Sequence, residues 1–158
     1  MIRSDAAAGL IDGWFDAARR RGGRVVFPEG EDPRVVEAAC RLRAAGVCEV
    51  HVIGRRAEIE PLATTACGGL PDDVIVHEPD AIAAEGSLPA LVREVLLARG
   101  MDVDRAAARA TEPVSPGAAM ARRGDVDACV AGAATPSVAV LRAVLRAALQ
   151  IVGVAGRA

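Results

Sequence analysis

Short β-branched, apolar runs alternate along this chain with longer stretches of helical periodicity, and that alternation limits the fold more than any other feature. RVVFP (24–28), EVHVIG (49–54), DVIVHEP (73–79) and DACVAGA (127–133) read as four buried strands. DPRVVEAACRLRAAG (32–46) reads as a helix with Asp32 as N-cap, Pro33 in the first turn and Gly46 closing it. RRAEIEPLATTA (55–66) reads as a weaker helix interrupted by Pro61, and 87–99 and 102–110 as two helices separated by Gly100. TEPVSPG (111–117) reads as a connection leading to a short helix, AAMARRG. The ends read as helices too: 4–20, with a stripe of Leu10, Ile11, Trp14 and Phe15, and 138–152, apolar all round except Arg142, Arg146 and Gln150. Strands separated by helices of this length make βαβ units. The expectation is therefore one α/β domain over 1–158, a parallel sheet between two helical layers.

Composition removes several functions. A formal net charge of −2 provides no field for nucleic acid or an anionic membrane. With no Tyr, two Phe and one Trp, the chain also lacks stacking platforms for single strands. Its 19 basic residues are all Arg, so lysine Schiff-base chemistry is excluded and any anion must be held by guanidinium or backbone N–H groups. Cys40, Cys48, Cys67 and Cys129 contain no CxxC pair, and with only His51 and His77 beside them no metal site is expected. The cysteines read as reduced structural thiols, and His51 and His77 as core or strand-end histidines. No basic start leads into an apolar segment, and no apolar run approaches membrane-spanning length, so the expected setting is the cytoplasm.

In parallel sheets ligands bind beyond the carboxyl ends of the strands. Two strand-to-helix turns fall there, PEGEDPR (28–34) and AGAATPS (131–137). The second places small residues between a strand and a helix, where free N–H groups and the helix dipole form an anion cradle. Gly132 permits close approach, and Thr135 and Ser137 offer hydroxyls; a tight turn with a Ser/Thr cap explains the same residues. Arg142 and Arg146 share one helix face, which a solvated edge also explains. They lie in VLRAVLRA (140–147), an internal repeat of one helical turn. PEGEDPR holds Glu29, Glu31, Asp32 and Arg34; Asp32 is most simply a cap, and a general acid or base among the three carboxylates would need a shifted pKa.

RVVFPEGEDPRVVEAA (24–39), EVHVIG (49–54), RGM (99–101), GDVDACVAGA (124–133) and LRAALQIVG (145–153) together resemble the phosphate acyltransferase family, which includes phosphate acetyltransferase and phosphate butyryltransferase. The resemblance covers nearly the whole chain, but only about the first half of a family member. It implies the first α/β domain of an isocitrate/isopropylmalate dehydrogenase-like fold, with the active site in a cleft between two domains and a homodimer or complementing chain as partner. It also implies a metal-free acyl transfer between coenzyme A and inorganic phosphate, with acetyl-CoA as substrate and no permanently bound cofactor. By the same resemblance Arg142 or Arg146 becomes the phosphate ligand, with Gly132, Thr135 and Ser137 as its cradle. The family's catalytic serine, arginine and aspartate belong to its second half, so no catalytic residue is assigned here.

The chain departs from the pattern at Leu96, where the family has an arginine, and at Ser115 and Pro116, which replace an aromatic pair. The family aspartate falls on Ala139 if Arg142 is the matching arginine, and on Ala143 if Arg146 is. Two readings follow: an acyltransferase-type domain incomplete as a catalyst alone, or a degenerate module that binds acyl-CoA or phosphate, or dimerises, without turnover. A truncated piece of a longer enzyme is a third.

Overall fold

The computed structural model describes residues 5–112 and 114–141. In chain order the elements are α1 (Asp5–Arg21), β1 (Arg24–Phe27), α2 (Pro33–Ala44), β2 (Glu49–Ile53), α3 (Arg56–Cys67) and β3 (Ile75–His77). They continue with α4 (Pro79–Glu85), α5 (Ser87–Ala98), α6 (Val103–Ala110), α7 (Val114–Arg123) and β4 (Ala128–Cys129). The four strands form one parallel sheet in the order β3-β2-β1-β4. As expected from the sequence, this is an α/β domain with a parallel sheet between helices.

Alternation along the strands builds the layers. Phe27, Val50 and Val52 point to one face and pack with Val35, Val36 and Ala39 of α2 and Ile59 and Ala63 of α3. Val26 and Ile53 point to the other, against Ile82, Leu88, Val92, Leu96, Ala106 and Met120 of α4–α7. Each fully buried Val or Ile contributes about 1.5–3 kcal/mol relative to exposure. Leu96, the position where an arginine was looked for, is therefore a core residue, 2% exposed. His51 projects opposite to Val50 and Val52; its Nδ1 lies 2.8 Å from His77 Nε2 and its Nε2 2.7 Å from Glu49.

Several local expectations change. Pro61 does not interrupt α3: it forfeits one N–H bond, but the buried Ile59 and Ala63 on either side anchor the helix against the sheet. The segment read as a connection, 111–117, enters α7 at Val114, because Pro116 sits in a first turn, where no intrahelical N–H partner is needed, and Val114–Met120 are all buried. α4 was not foreseen; Pro79 starts it and Gly86, at φ 77°, ends it. Trp14, placed on an apolar stripe, is 65% exposed. Cys40 and Cys67, read as separate thiols, are joined as a disulfide linking α2 to α3, with Cα atoms 6.4 Å apart. Cys48 and Cys129 are free. Of the expected helix 138–152, residues 137–141 are helical and the remainder lies outside the described residues. Among those described, no helix is long and apolar enough to cross a membrane, and no group of three or more His, Cys, Asp or Glu could hold a metal ion.

Gly30 carries the chain off β1 by running hard against β2. Its N–H bonds the Ile53 carbonyl at 3.0 Å, and a Cβ there would meet Val52 Cγ1 at 2.2 Å and the Ile53 oxygen at 2.8 Å. Gly30→Ala should therefore cost about 1–3 kcal/mol, the usual range for overpacking. Urea denaturation of the two proteins checks this, with Gly22→Ala, where a Cβ meets nothing within 4 Å, reporting the cost of a positive φ alone.

Candidate active site at the carboxyl edge of the sheet

β1 has β2 on one side and β4 on the other, so the chain direction across the sheet reverses at β1/β4. The crevice beyond the carboxyl ends of the strands at such a point is the usual ligand position in an open parallel sheet. Here it is a cavity of about 540 Å³, lined by residues from the turns after all four strands, including Glu29, Gly54, Pro79 and Thr135, with Ile82 and Pro116 from the helices above. That volume lies within the range of small-molecule sites.

The two turns singled out in the sequence meet in this cavity and are bonded to each other. The amides of Gly132, Ala133, Ala134 and Thr135 all converge on one point, and the Glu29 carboxylate occupies it. Gly132 and Ala133 donate to Oε2 at 2.6 and 2.8 Å; Ala134 and Thr135 donate to Oε1 at 3.0 and 2.5 Å. Gly132 turns the backbone into this arrangement at φ 110°. Burial of Glu29 (8% exposed) pushes its carboxyl pKa up, but the Thr135 hydroxyl and the amides of Ala133, Thr135 and Gly132 pull harder, leaving it at about 2. Arg34 adds a second tie, donating to the Ala133 carbonyl while bonding Asp32 at 3.0 and 2.7 Å.

The other carboxylates of PEGEDPR are engaged as well. Asp32 caps α2 through the Arg34 amide at 2.9 Å, and the Arg34 guanidinium, with that amide, holds it at about 2. Glu31 forms a two-pronged pair with Arg55, both contacts 2.9 Å, and accepts the Arg55 amide at the start of α3; the guanidinium beside it lowers its pKa. All three stay ionised at neutral pH, which makes them anchors of the turn and poor proton acceptors. Cys129, beneath this junction, has its thiol pushed up to about 11 by burial and the Glu29 charge, so it is not a thiolate nucleophile.

Of the residues marked in the sequence, Thr135 lines the cavity with Glu29, Glu31 and Asp32; Gly132 and Arg34 join the same junction only through their bonds to Glu29 and to the Ala133 carbonyl, while Ser137 begins the helical segment 137–141 and is exposed. Arg142 and Arg146 lie outside the described residues. Pro79, Asp80 and Ala83 also line the cavity and were missed, because α4 was not read; the signal was Pro79 directly after a strand and Gly86 seven residues on.

The chain matches the family model Phosphate acetyl/butaryl transferase over residues 10–156. It is 37% identical to a phosphate acetyltransferase of Paracoccus denitrificans over 90% of this chain and 40% of that protein. A phosphotransacetylase structure from Streptococcus pyogenes superposes with a TM-score of 0.76 at 26% identity, covering 88% of this chain and 42% of the other. A further relative is an NADP-dependent malic enzyme of Escherichia coli, 30% identical over 75% of this chain and 16% of that protein. The chain thus spans about two fifths, or less, of the relatives it matches.

The bonding at Glu29 has a measurable pH signature. An unfolded glutamate titrates near 4.5, the folded one near 2. The ionised, bonded form stabilises the fold fully above pH 4.5, and this contribution is lost as pH falls from there towards 2. Glu29→Gln should cost on the order of 2–4 kcal/mol at pH 7, as for breaking a buried charge-assisted network, and should flatten the fall in stability below pH 4.5. Urea midpoints from pH 7 to 3 for both proteins test it; parallel curves would contradict the assignment.

Proposed function

This chain belongs to the Phosphate acetyl/butaryl transferase family, and on that premise we propose that it forms the nucleotide- and phosphate-facing wall of an acyltransferase cleft, acting on coenzyme A, a short acyl group and inorganic phosphate. The observation that carries this reading is the cavity at the β1/β4 reversal, lined by residues 28–33 of the turn after β1 and by Ala134 and Thr135 of the turn after β4. In the reaction a CoA thiolate attacks the carbonyl carbon of an acyl phosphate, the C–S bond forms, and the C–O bond to phosphate breaks; in reverse, phosphate attacks the thioester. Neither direction needs a metal or a permanently bound cofactor. The wall's part is to orient the reactants and stabilise charge developing on the carbonyl and phosphate oxygens. With the amides of Gly132 and Thr135 engaged by Glu29, the proposed phosphate ligands are the Thr135 and Ser137 hydroxyls and Arg142 or Arg146. Arg142, the nearer to the turn in sequence, is favoured.

A base is still required, and the three carboxylates of PEGEDPR are held ionised by their partners. The isolated chain is accordingly expected to bind without turning over, its second wall coming from a further domain or another copy. The setting proposed is the cytoplasm, where the Cys40–Cys67 pair would stand reduced. The second reading, a binding module without catalysis, is favoured by the match inside a malic enzyme, a protein named for another reaction.

Calorimetric titration with CoA and with phosphate tests the proposal. Ala83→Trp, which fills the cavity from an exposed position on α4, should abolish CoA binding. Arg142→Ala should weaken phosphate or CoA binding by about ten- to a hundredfold, the equivalent of a charge-assisted contact of roughly 1.5–3 kcal/mol. Acetyl phosphate formation by the isolated chain within about a hundredfold of an ordinary kcat of ~10 s⁻¹ would overturn the incomplete-cleft reading.

A further inference from the structure

We propose that Cys40 and Cys67 are a reversible thiol–disulfide site, closed by a small-molecule disulfide and opened by a small-molecule thiol, with Cys67 as the sulfur that exchanges and Cys40 as the one that resolves. The two lie on packed helices, α2 and α3, with Cα atoms 6.4 Å apart, within the span that a disulfide bridges. Their surroundings are unequal. Cys40 is 5% exposed and belongs to the core cluster of Val36, Ala39, Ile59 and Ala63, whereas Cys67 ends α3 at an exposed position before Gly68. A tripeptide-sized reagent therefore reaches Cys67 and not Cys40. Both redox states have a place in the fold. Cys67 Sγ lies 3.3 Å from the Ala63 carbonyl and 3.0 Å from the Gly69 carbonyl, acceptors for the S–H of the reduced form. A reduced Cys40 packs as a small apolar side chain. The other two thiols are poor competitors: burial raises the pKa of Cys48 and, with the Glu29 charge, pushes Cys129 up to about 11.

In the closing direction the Cys67 thiolate attacks the small disulfide, forming a mixed disulfide and releasing one small thiolate. The Cys40 thiolate then attacks the Cys67 sulfur and displaces the second. Two protein thiols are oxidised, one small disulfide is reduced to two thiols, and the protons lost by the cysteines end on the leaving groups. Opening runs the same steps backwards from a small thiolate attacking Cys67. The element that responds is α3, of which only Ile59 and Ala63 are buried and from which Pro61 removes an N–H donor. A bond at Cys67 clasps its C-terminal end to α2 across 27 residues of sequence. Oxidation thus suppresses local opening of α3, and reduction releases it. Gly54, just before α3, lines the cavity, and the 12 residues of the helix put roughly 18 Å between that end and the clasp. The inference goes beyond the acyl-transfer reading and does not rest on it.

The test takes the full chain, fully reduced, adds glutathione disulfide, and maps the cysteines by peptide mass after acid quenching at successive times. Wild type should pass through a glutathione adduct on Cys67 to the Cys40–Cys67 bond, and return to two thiols in excess reduced glutathione. Cys40→Ala should stop at the Cys67 adduct, and Cys67→Ala should leave Cys40 unmodified over the same period. Oxidised wild type should melt about 5–10 °C above the reduced protein, and its α3 amides should exchange with solvent on the order of tenfold more slowly. Should Cys40→Ala fail to fold, the quenched wild-type series still assigns the order, because the first adduct is trapped on one cysteine or the other. A first adduct on Cys40, an unreacted pair, adducts that accumulate without the internal bond, or a bond that excess reduced glutathione leaves intact each overturns the proposal. So do a Tm and an α3 exchange rate indifferent to oxidation. A chain that binds no CoA would defeat the acyl-transfer reading and leave these measurements unaffected.

Discussion

The carboxylate of Glu29 among four backbone amides is the interaction on which the carboxyl edge of this domain depends. β4 is two residues long and pairs with β1 over two positions only, too little contact to fix the loop that follows it. What fixes that loop is side-chain chemistry from the neighbouring strand. Glu29 takes its donors, Arg34 takes one of its carbonyls, and Gly117, whose Cβ would meet Cys129 Sγ at 3.0 Å and Pro28 at 3.1 Å, lets α7 close over the junction. The sheet supplies the frame, and a buried ion with nearly all its lone pairs satisfied supplies the register of the site.

Charge in this turn is used for shape. Each acidic side chain of PEGEDPR ends on a partner belonging to a different piece of the architecture: Glu29 on the β4 loop, Glu31 on the start of α3, Asp32 on the start of α2. Three short carboxylates thereby tie three elements to the end of β1. The Glu29 contacts, desolvated and directional, are worth more than exposed ion pairs such as Glu31 with Arg55 or Arg41 with Glu37.

The layers, the parallel sheet and the two turns facing the cavity were legible in the sequence because each has a local cause: β-branched runs, Asp32-Pro33 opening a helix, glycine at the loop bends. The convergence of the turn amides on one point also followed from local reasoning about small residues after a strand. What occupies that point did not, since Glu29 lies 103 residues from Gly132 and no periodicity relates them. The same limit hid the Glu31–Arg55 pair and the Cys40–Cys67 pairing, both of which need the packing of α2 against α3 or of β1 against β2. α7 was read late because proline and glycine signal a break locally, whereas burial of the whole segment 114–120 decides otherwise. Leu96 shows the reverse case: a position examined for a missing charge is filled by a core side chain, and the amphipathic spacing Leu88, Val92, Leu96 carried that information throughout.

Five of the residues around the cavity are prolines, Pro28, Pro33, Pro79, Pro89 and Pro116, drawn from four different segments. A pyrrolidine ring fixes φ in the unfolded chain as well as the folded one, so these positions surrender less entropy on ordering than any other residue would. The lining of the cavity is thus stiff before anything enters it. An incoming molecule has little loop ordering to offset, and its binding heat will report the contacts it makes more directly than at a site closed by flexible segments.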